Sequence, residues 1–260
     1  MSGSIHFKQH GRHVAMLEFD NPPMNTMGQA MRAQFMARLD ALEADEEIRA
    51  IVVTGRGRAF CSGDDLKEER VAAAKAHHSD TPPAEAVSFS QLLERIEGFR
   101  VPVVAAINGW CVGGGLEIAL CCDIRIATSS ARFVCAGVNV GLMASAYRLP
   151  RLIGVARAKA MLLTGTPHDA AAAERYGLVT AIQEPEELVP AALALATRIS
   201  TRAPLSVEAT KRMAGRALDL DAQAAASLQA EEFKVLVRTE DHAEALTAFA
   251  EKREPIFTRR

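Results

Sequence analysis

The stretch 102–123, PVVAAINGWCVGGGLEIALCCD, decides the fold. Val103–Ile107 is a continuous apolar run bounded by Pro102 and by Asn108-Gly109, which reads as a strand buried on both faces. Gly113–Cys121 then reads as an apolar helix opened by three contiguous glycines. Glycine lets the backbone approach a ligand, and a helix N-terminus presents N–H groups with about half a positive charge. Such a place suits an anion, or an oxygen that becomes one. Close helix–strand packing also calls for glycine, and this segment alone supports both readings equally. No Gly-Lys-Ser/Thr follows, the glycines lack the GxGxxG spacing, and no GxSxG occurs, so the common phosphate, dinucleotide and nucleophile-elbow motifs are absent.

Glu117 lies two residues beyond the glycines, among Leu116, Ile118, Ala119 and Leu120. A carboxylate is costly to place in an apolar run. It could complement the helix dipole, worth about 0.3–1 kcal/mol, or act as a general acid/base beside an oxyanion site.

Outward toward the N-terminus, Ile5–Lys8 and Val14–Phe19 around His10-Gly11-Arg12 predict a β-hairpin, ended by Asn21-Pro22-Pro23. Met31, Phe35, Leu39 and Leu42 give helical spacing over Gln29–Ala44, and 51–54 is a short buried strand stopped by Gly55-Arg56-Gly57. Helices are expected over Asp65–Ala76 and Ala86–Phe99, with a break at Ser79–Pro83. Toward the C-terminus, Ile124–Ala127 and Arg132–Cys135 read as strands. Beyond Ala144 helices dominate: 156–163, 170–176, 186–200, 205–218, 222–237 and 241–252, with only 179–182 strand-like. The expectation is an α/β core over residues 1–200 and a helical region over 201–260.

The 260 residues are 49% hydrophobic and carry a formal charge of −2 from 30 basic and 32 acidic groups, which gives no reason to expect a nucleic-acid partner. Five cysteines without a CxxC pair argue against a disulfide framework or a structural zinc site, and the scattered histidines suggest no metal. His77 and His78 fall in an expected surface excursion. No signal peptide and no membrane-spanning run is apparent, so a soluble cytoplasmic protein is expected.

A second segment, 58–67, RAFCSGDDLK, follows the strand at 51–54. Gly63 permits a sharp turn, and Asp64 and Asp65 can cap a helix, leaving N–H donors just after Gly63. As a bare pattern it is a common cap.

Taken together and in this order, FCSGDDLKE at 60–68 and NGWCVGGGLEIALCCDIRIA at 108–127 resemble the two signature stretches of the crotonase (enoyl-CoA hydratase/isomerase) superfamily. Asn21–Asn25, Leu163-Thr164-Gly165, Ala172-Ala173, Tyr176–Val179 and Phe249–Phe257 extend the resemblance over nearly the whole chain. It implies a crotonase-like α/β fold of repeated β-β-α units with a helical C-terminal trimerisation region, and assembly as a homotrimer or dimer of trimers. It implies an acyl-CoA substrate, coenzyme A being part of that substrate and no separate cofactor being needed. The thioester oxygen would accept the backbone N–H groups of Asp64 and Gly114, so the Asp64 side chain is not what matters. Ala59, Cys61, Gly63, Leu66, Lys67 and Gly113 match positions along the coenzyme A path, and Lys252 resembles a lysine that reaches a CoA phosphate.

The chain also departs from that pattern. Hydratases of the family usually place two glutamates on opposite sides of one water. Glu117 matches the first, but Gly137 stands at the second, in 133–139, FVCAGVN. Three readings follow: hydration of a 2-enoyl-CoA with Glu117 as acid/base and the proton coming from water or from Asn139, Tyr147 or Cys135 as substitute; double-bond isomerisation or other enolate chemistry with one carboxylate; and acyl-CoA binding without chemistry. Asp123 is expected to be structural, paired with a nearby arginine.

Overall fold

The computed structural model describes residues 3–68, 70 and 87–260. Its central sheet has the strand order β1-β2-β3-β5-β7-β10, formed by Ser4–His10, Val14–Asp20, Ala50–Gly55, Val103–Ile107, Ile124–Thr128 and Ala181–Gln183. β1 and β2 form the expected antiparallel hairpin, with Ser4 opposite Asp20 and His10 opposite Val14. The remaining neighbours pair in parallel. Parallel strands need both faces covered, which explains why 50–55 and 103–107 are fully buried and apolar but for Thr54, whose hydroxyl donates to Ala106 O (2.8 Å).

Alternation sorts the side chains between two cores. Ile51, Val53, Val103, Ala105 and Ile107 face one, while Ala50, Val52, Val104 and Ala106 face the other. The first core is covered by α1 (Gln29–Ala44), α2 (Phe89–Glu97) and α3 (Gly114–Cys121), which supply Phe35, Leu39, Leu92, Ile96, Leu116 and Ile118. The second is covered by α7 (Leu188–Ser200), through Leu188, Ala192 and Ala196. Ser88 caps α2 with a capping box closed by Gln91.

A second sheet was not legible from the pattern. Ala59–Cys61 (β4), Trp110–Val112 (β6), Arg132–Val134 (β8) and His168–Asp169 (β9) pair in the order β4-β6-β8-β9. Of these only β8 was expected, as Arg132–Cys135; the other two- and three-residue strands, between glycines and turns, carry no alternation to detect. They complete the β-β-α units: β3 with β4, and β5 with β6 and α3. The two signature segments therefore run side by side, because β4 pairs with β6.

Ala136–Val140 forms a 3₁₀ turn, followed by α4 (Arg148–Ile153), α5 (Val155–Thr164) and α6 (Ala170–Tyr176). The sequence reading missed the turn and α4. The C-terminal helices are α8 (Pro204–Arg216), α9 (Ala222–Leu236) and α10 (Glu240–Glu251). α9 buries no residue within this chain. Of the helix expected over 65–76, residues 66–68 and 70 are helical. Asp65 is not helical, and residues 69 and 71–76, with His77, His78 and the break at 79–83, lie outside the described residues.

Candidate active site

Parallel pairing of β4 with β6 brings the turn after Cys61 against the start of α3. Gly63 has φ +83°, a conformation that a side chain disfavours. A Cβ at Gly63 would fall 2.5 Å from the Gly114 nitrogen and 2.8 Å from its Cα. At Gly115 it would fall 2.0 Å from the Cys61 carbonyl oxygen. Both glycines are thus explained by backbone meeting backbone. Gly113 is the N-cap of α3, its own N–H donating to Val134 O (2.9 Å). Gly114 is the first helical residue, and its N–H is one of the donors a helix cannot satisfy internally.

The turn is tied down from several directions. Met27 N–H donates to Gly63 O (2.8 Å), and Ser62 N–H donates to Met24 O (3.0 Å). The fully buried Asn25 donates through Nδ2 to Ala59 O (2.7 Å). Gly63 N–H donates to Cys61 Sγ (3.3 Å). The Asp64 carboxylate pairs with the buried Arg32 on α1. That side chain therefore braces the turn, while its amide follows Gly63.

Glu117 lies on the first turn of α3 and is half-buried. Its Oε1 accepts the backbone N–H of Ser145, 28 residues away. The loop that delivers Ser145 folds over Gly137. A Cβ at Gly137 would lie 2.9 Å from both Ala144 N and Leu142 O, and Leu142 N–H donates to Gly137 O (2.8 Å). The missing glutamate is thus not a vacancy: the space beside Gly137 is filled by the backbone of the loop that reaches Glu117.

The substitutes considered for that glutamate are engaged elsewhere or blocked. Asn139 donates through Nδ2 to Gly165 O (2.9 Å). The exposed Tyr147 donates its hydroxyl to Asp219 (3.3 Å) and lies under the Arg151 guanidinium. Cys135 is buried, and burial, then the Glu117 carboxylate, push its thiol up to about 12, so it remains a thiol at neutral pH. Cys61 is likewise pushed up to about 12 by burial. Asp123 is structural, but its partner is Lys211 (2.8 Å) together with Val103 N–H (2.7 Å), not an arginine. Arg125 turns inward instead, its Nε donating to Leu178 O (2.9 Å).

Of the remaining residues expected from sequence, Ala59 and Cys61 are fully buried on β4, and Leu66 and Lys67 are exposed. Lys252 is exposed at the C-cap of α10, remote in sequence from this cluster. A cleft of about 740 Å³ includes Cys121, Tyr147, Arg148 and Lys211 in its wall but neither Glu117 nor Gly114. Among the described residues no group of three or more His, Cys, Asp or Glu is placed to hold a metal, and no helix is long and apolar enough to cross a membrane.

Comparison with known proteins agrees with this fold. The family model for Enoyl-CoA hydratase/isomerase matches residues 9–260. The chain is 37% identical to the (E)-benzylidenesuccinyl-CoA hydratase of Thauera aromatica, over 94% of this chain and 95% of that protein. It is 34% identical to the crotonyl-CoA hydratase of Syntrophomonas wolfei, over 94% of each. The crystal structure of an enoyl-CoA hydratase from Bacillus anthracis superposes with a TM-score of 0.89 at 30% identity, covering 98% of this chain and 99% of that one. A match over nearly the whole length, on a fold whose paired β4 and β6 bring the two signature segments together, shows that this chain belongs to the enoyl-CoA hydratase/isomerase family.

Proposed function

We propose that the protein hydrates a 2-enoyl-CoA thioester, with the thioester oxygen held by the N–H groups of Asp64 and Gly114 and with Glu117 as acid/base. The observation that carries this reading is the packing of the Gly63 turn on the Gly114 amide, within one helical turn of Glu117. The Glu117 carboxylate takes a proton from water as the water oxygen bonds to the β-carbon, and the displaced π electrons become an enolate on the thioester oxygen. The protonated Glu117 then gives that proton to the α-carbon, the carbonyl re-forms, and one water has been added. One carboxylate serves both steps when the α- and β-carbons present the same face to it. Amide donors aimed at the enolate oxygen stabilise it by about 2.7–4 kcal/mol each in a dry site.

Exposed Leu66, Lys67 and Lys252 are assigned to the nucleotide end of coenzyme A, while Gly63 and Gly113 flank the thioester and buried Ala59 and Cys61 support the floor. Residues 201–260 are assigned to assembly with further copies as a homotrimer or dimer of trimers, supported by exposed Leu218, Phe233, Leu246 and Phe249. Five buried, unpaired cysteines fit a reducing cytoplasm.

Crotonyl-CoA tests the function through loss of the conjugated-thioester absorbance. Glu117→Gln is expected to lower kcat by about 10²–10⁴. Wild-type protein that binds crotonyl-CoA and leaves its absorbance unchanged would refute hydration. Isomerisation is the second reading, favoured by the absence of space for a side chain at Gly137. It predicts α-proton exchange in heavy water that is abolished in Glu117→Gln and is not accompanied by water addition. Affinity without either reaction across a panel of acyl-CoAs would leave a binding protein.

A further inference from the structure

Ser145 combines three features that its neighbours lack. Its φ is +61°, left-handed for a residue with a side chain. It is 3% exposed, and its Oγ has no hydrogen-bond partner among the described residues. Its N–H holds Glu117, while its carbonyl accepts Leu149 N–H (3.1 Å) at the start of α4. Both backbone groups are therefore used, and only the hydroxyl is unsatisfied. A buried hydroxyl without a partner is costly, and so is a left-handed serine where glycine would fit without strain. Strain and an unpaired polar group at one residue, in contact with the candidate acid/base, point to a ligand that completes the site.

We propose that Ser145 Oγ binds the oxygen that is added to, or removed from, the β-carbon: the reacting water in one direction and the 3-hydroxyl of the product in the other. The inference rests on the hydratase reading and adds a residue to it. A serine Oγ stays within about 4 Å of its own backbone nitrogen. That nitrogen contacts the Glu117 carboxylate, which puts Oγ close enough to Oε1 for a single water to bridge the two. Ser145 exchanges no proton in this scheme; it is the second anchor for the oxygen whose proton Glu117 takes. The loop that fills the space beside Gly137 thereby supplies a neutral hydroxyl near where a second carboxylate is missing.

The test uses Ser145→Gly, which removes the hydroxyl and also relieves the backbone strain. The fold is expected to be retained, with a melting temperature at or above that of the wild type. With crotonyl-CoA, kcat is expected to fall about 10-fold or more while KM changes less than about threefold, since one hydrogen bond to the reacting oxygen is lost. A purely structural serine would give unchanged or higher kcat in this variant. A second arm measures binding calorimetrically in the Glu117→Gln background, where turnover is suppressed. There 3-hydroxybutyryl-CoA should bind about 10-fold tighter than butyryl-CoA, and adding Ser145→Gly should erase that preference without weakening butyryl-CoA. Wild-type turnover matched by Ser145→Gly overturns the role of Ser145 and leaves the hydratase reading intact. No wild-type turnover overturns the hydratase reading, and the role of Ser145 is then decided by the binding arm, where an unchanged preference overturns it.

Discussion

Gly63→Ala probes the arrangement on which the reaction depends. The new Cβ would meet Gly114 N at 2.5 Å, Gly114 Cα at 2.8 Å and Gly115 N at 3.2 Å, all of them backbone atoms that cannot swing aside. Ordinary contact begins near 3.4 Å, so the turn and the start of α3 must separate by nearly 1 Å. The backbone at φ +83° adds about 1–2 kcal/mol of strain, and the overpacking about 1–3 kcal/mol. A sum near 3 kcal/mol lowers the melting temperature by about 6–12 °C for a chain of this size. Displacing an oxyanion donor by about 1 Å costs on the order of 10² in rate. Crotonyl-CoA hydration should therefore lose about 10² or more in kcat/KM at a temperature where the variant is folded. Gly57→Ala is the control: its φ is +74°, and a Cβ there meets nothing within 4 Å. It should cost about 1–2 kcal/mol in stability and leave kcat/KM within about threefold. Gly63→Ala with wild-type kcat/KM would refute the assignment of the oxyanion donors to Asp64 and Gly114.

Other substitutions and conditions separate the same ideas. Gly137→Glu, which writes a second glutamate into the chain, is expected to lower both stability and hydration rate, because its Cβ collides with Ala144 N and Leu142 O and pushes Ser145 off Glu117; a faster enzyme would show the loop to be displaceable. All five cysteines are buried, and burial raises Cys61, Cys122 and Cys135 to about 12. Iodoacetamide at pH 8 should thus label none of them in the native protein and all five in denaturant, as counted by mass spectrometry. Glu244 is held down to about 2 from 4.5 by its hydrogen bonds to Arg253 and then to Ile256 N–H. The anchoring of the C-terminal segment is therefore complete above 4.5 and lost as pH falls through about 2. The Ile256 amide shift should titrate near that lower value, and a midpoint near 4.5 would contradict the ion pair.

The longest elements were legible because burial imposes a period on them. Gln29–Ala44 begins and ends where the spacing of Met31, Phe35, Leu39 and Leu42 predicts, and Val103–Ile107 matches its unbroken apolar run. The two glycine-bearing segments could be singled out because glycine at a close approach leaves a mark that composition does not dilute. Three things had no such mark. Three strands of the second sheet, Ala59–Cys61, Trp110–Val112 and His168–Asp169, are two or three residues long, too short for alternation to register. The partner of Asp123 is Lys211, 88 residues away, where sequence proximity suggested an arginine. Ser145 lies in an aperiodic loop, and nothing local distinguishes it from any small polar loop residue.

Sequence alone determined the α/β class and the longest helices and strands, since these follow from local propensity and hydrophobic period, and the resemblance to the crotonase superfamily implied the pair of turns that meet. It also revealed a glycine where a second glutamate was expected. Only the tertiary structure decided what that glycine means. The loop over 141–145 occupies the space a side chain would need and brings one backbone N–H to Glu117 across 28 residues. Such a contact is fixed by how α4 packs against α3, and long-range packing of that kind leaves no periodic trace in the chain.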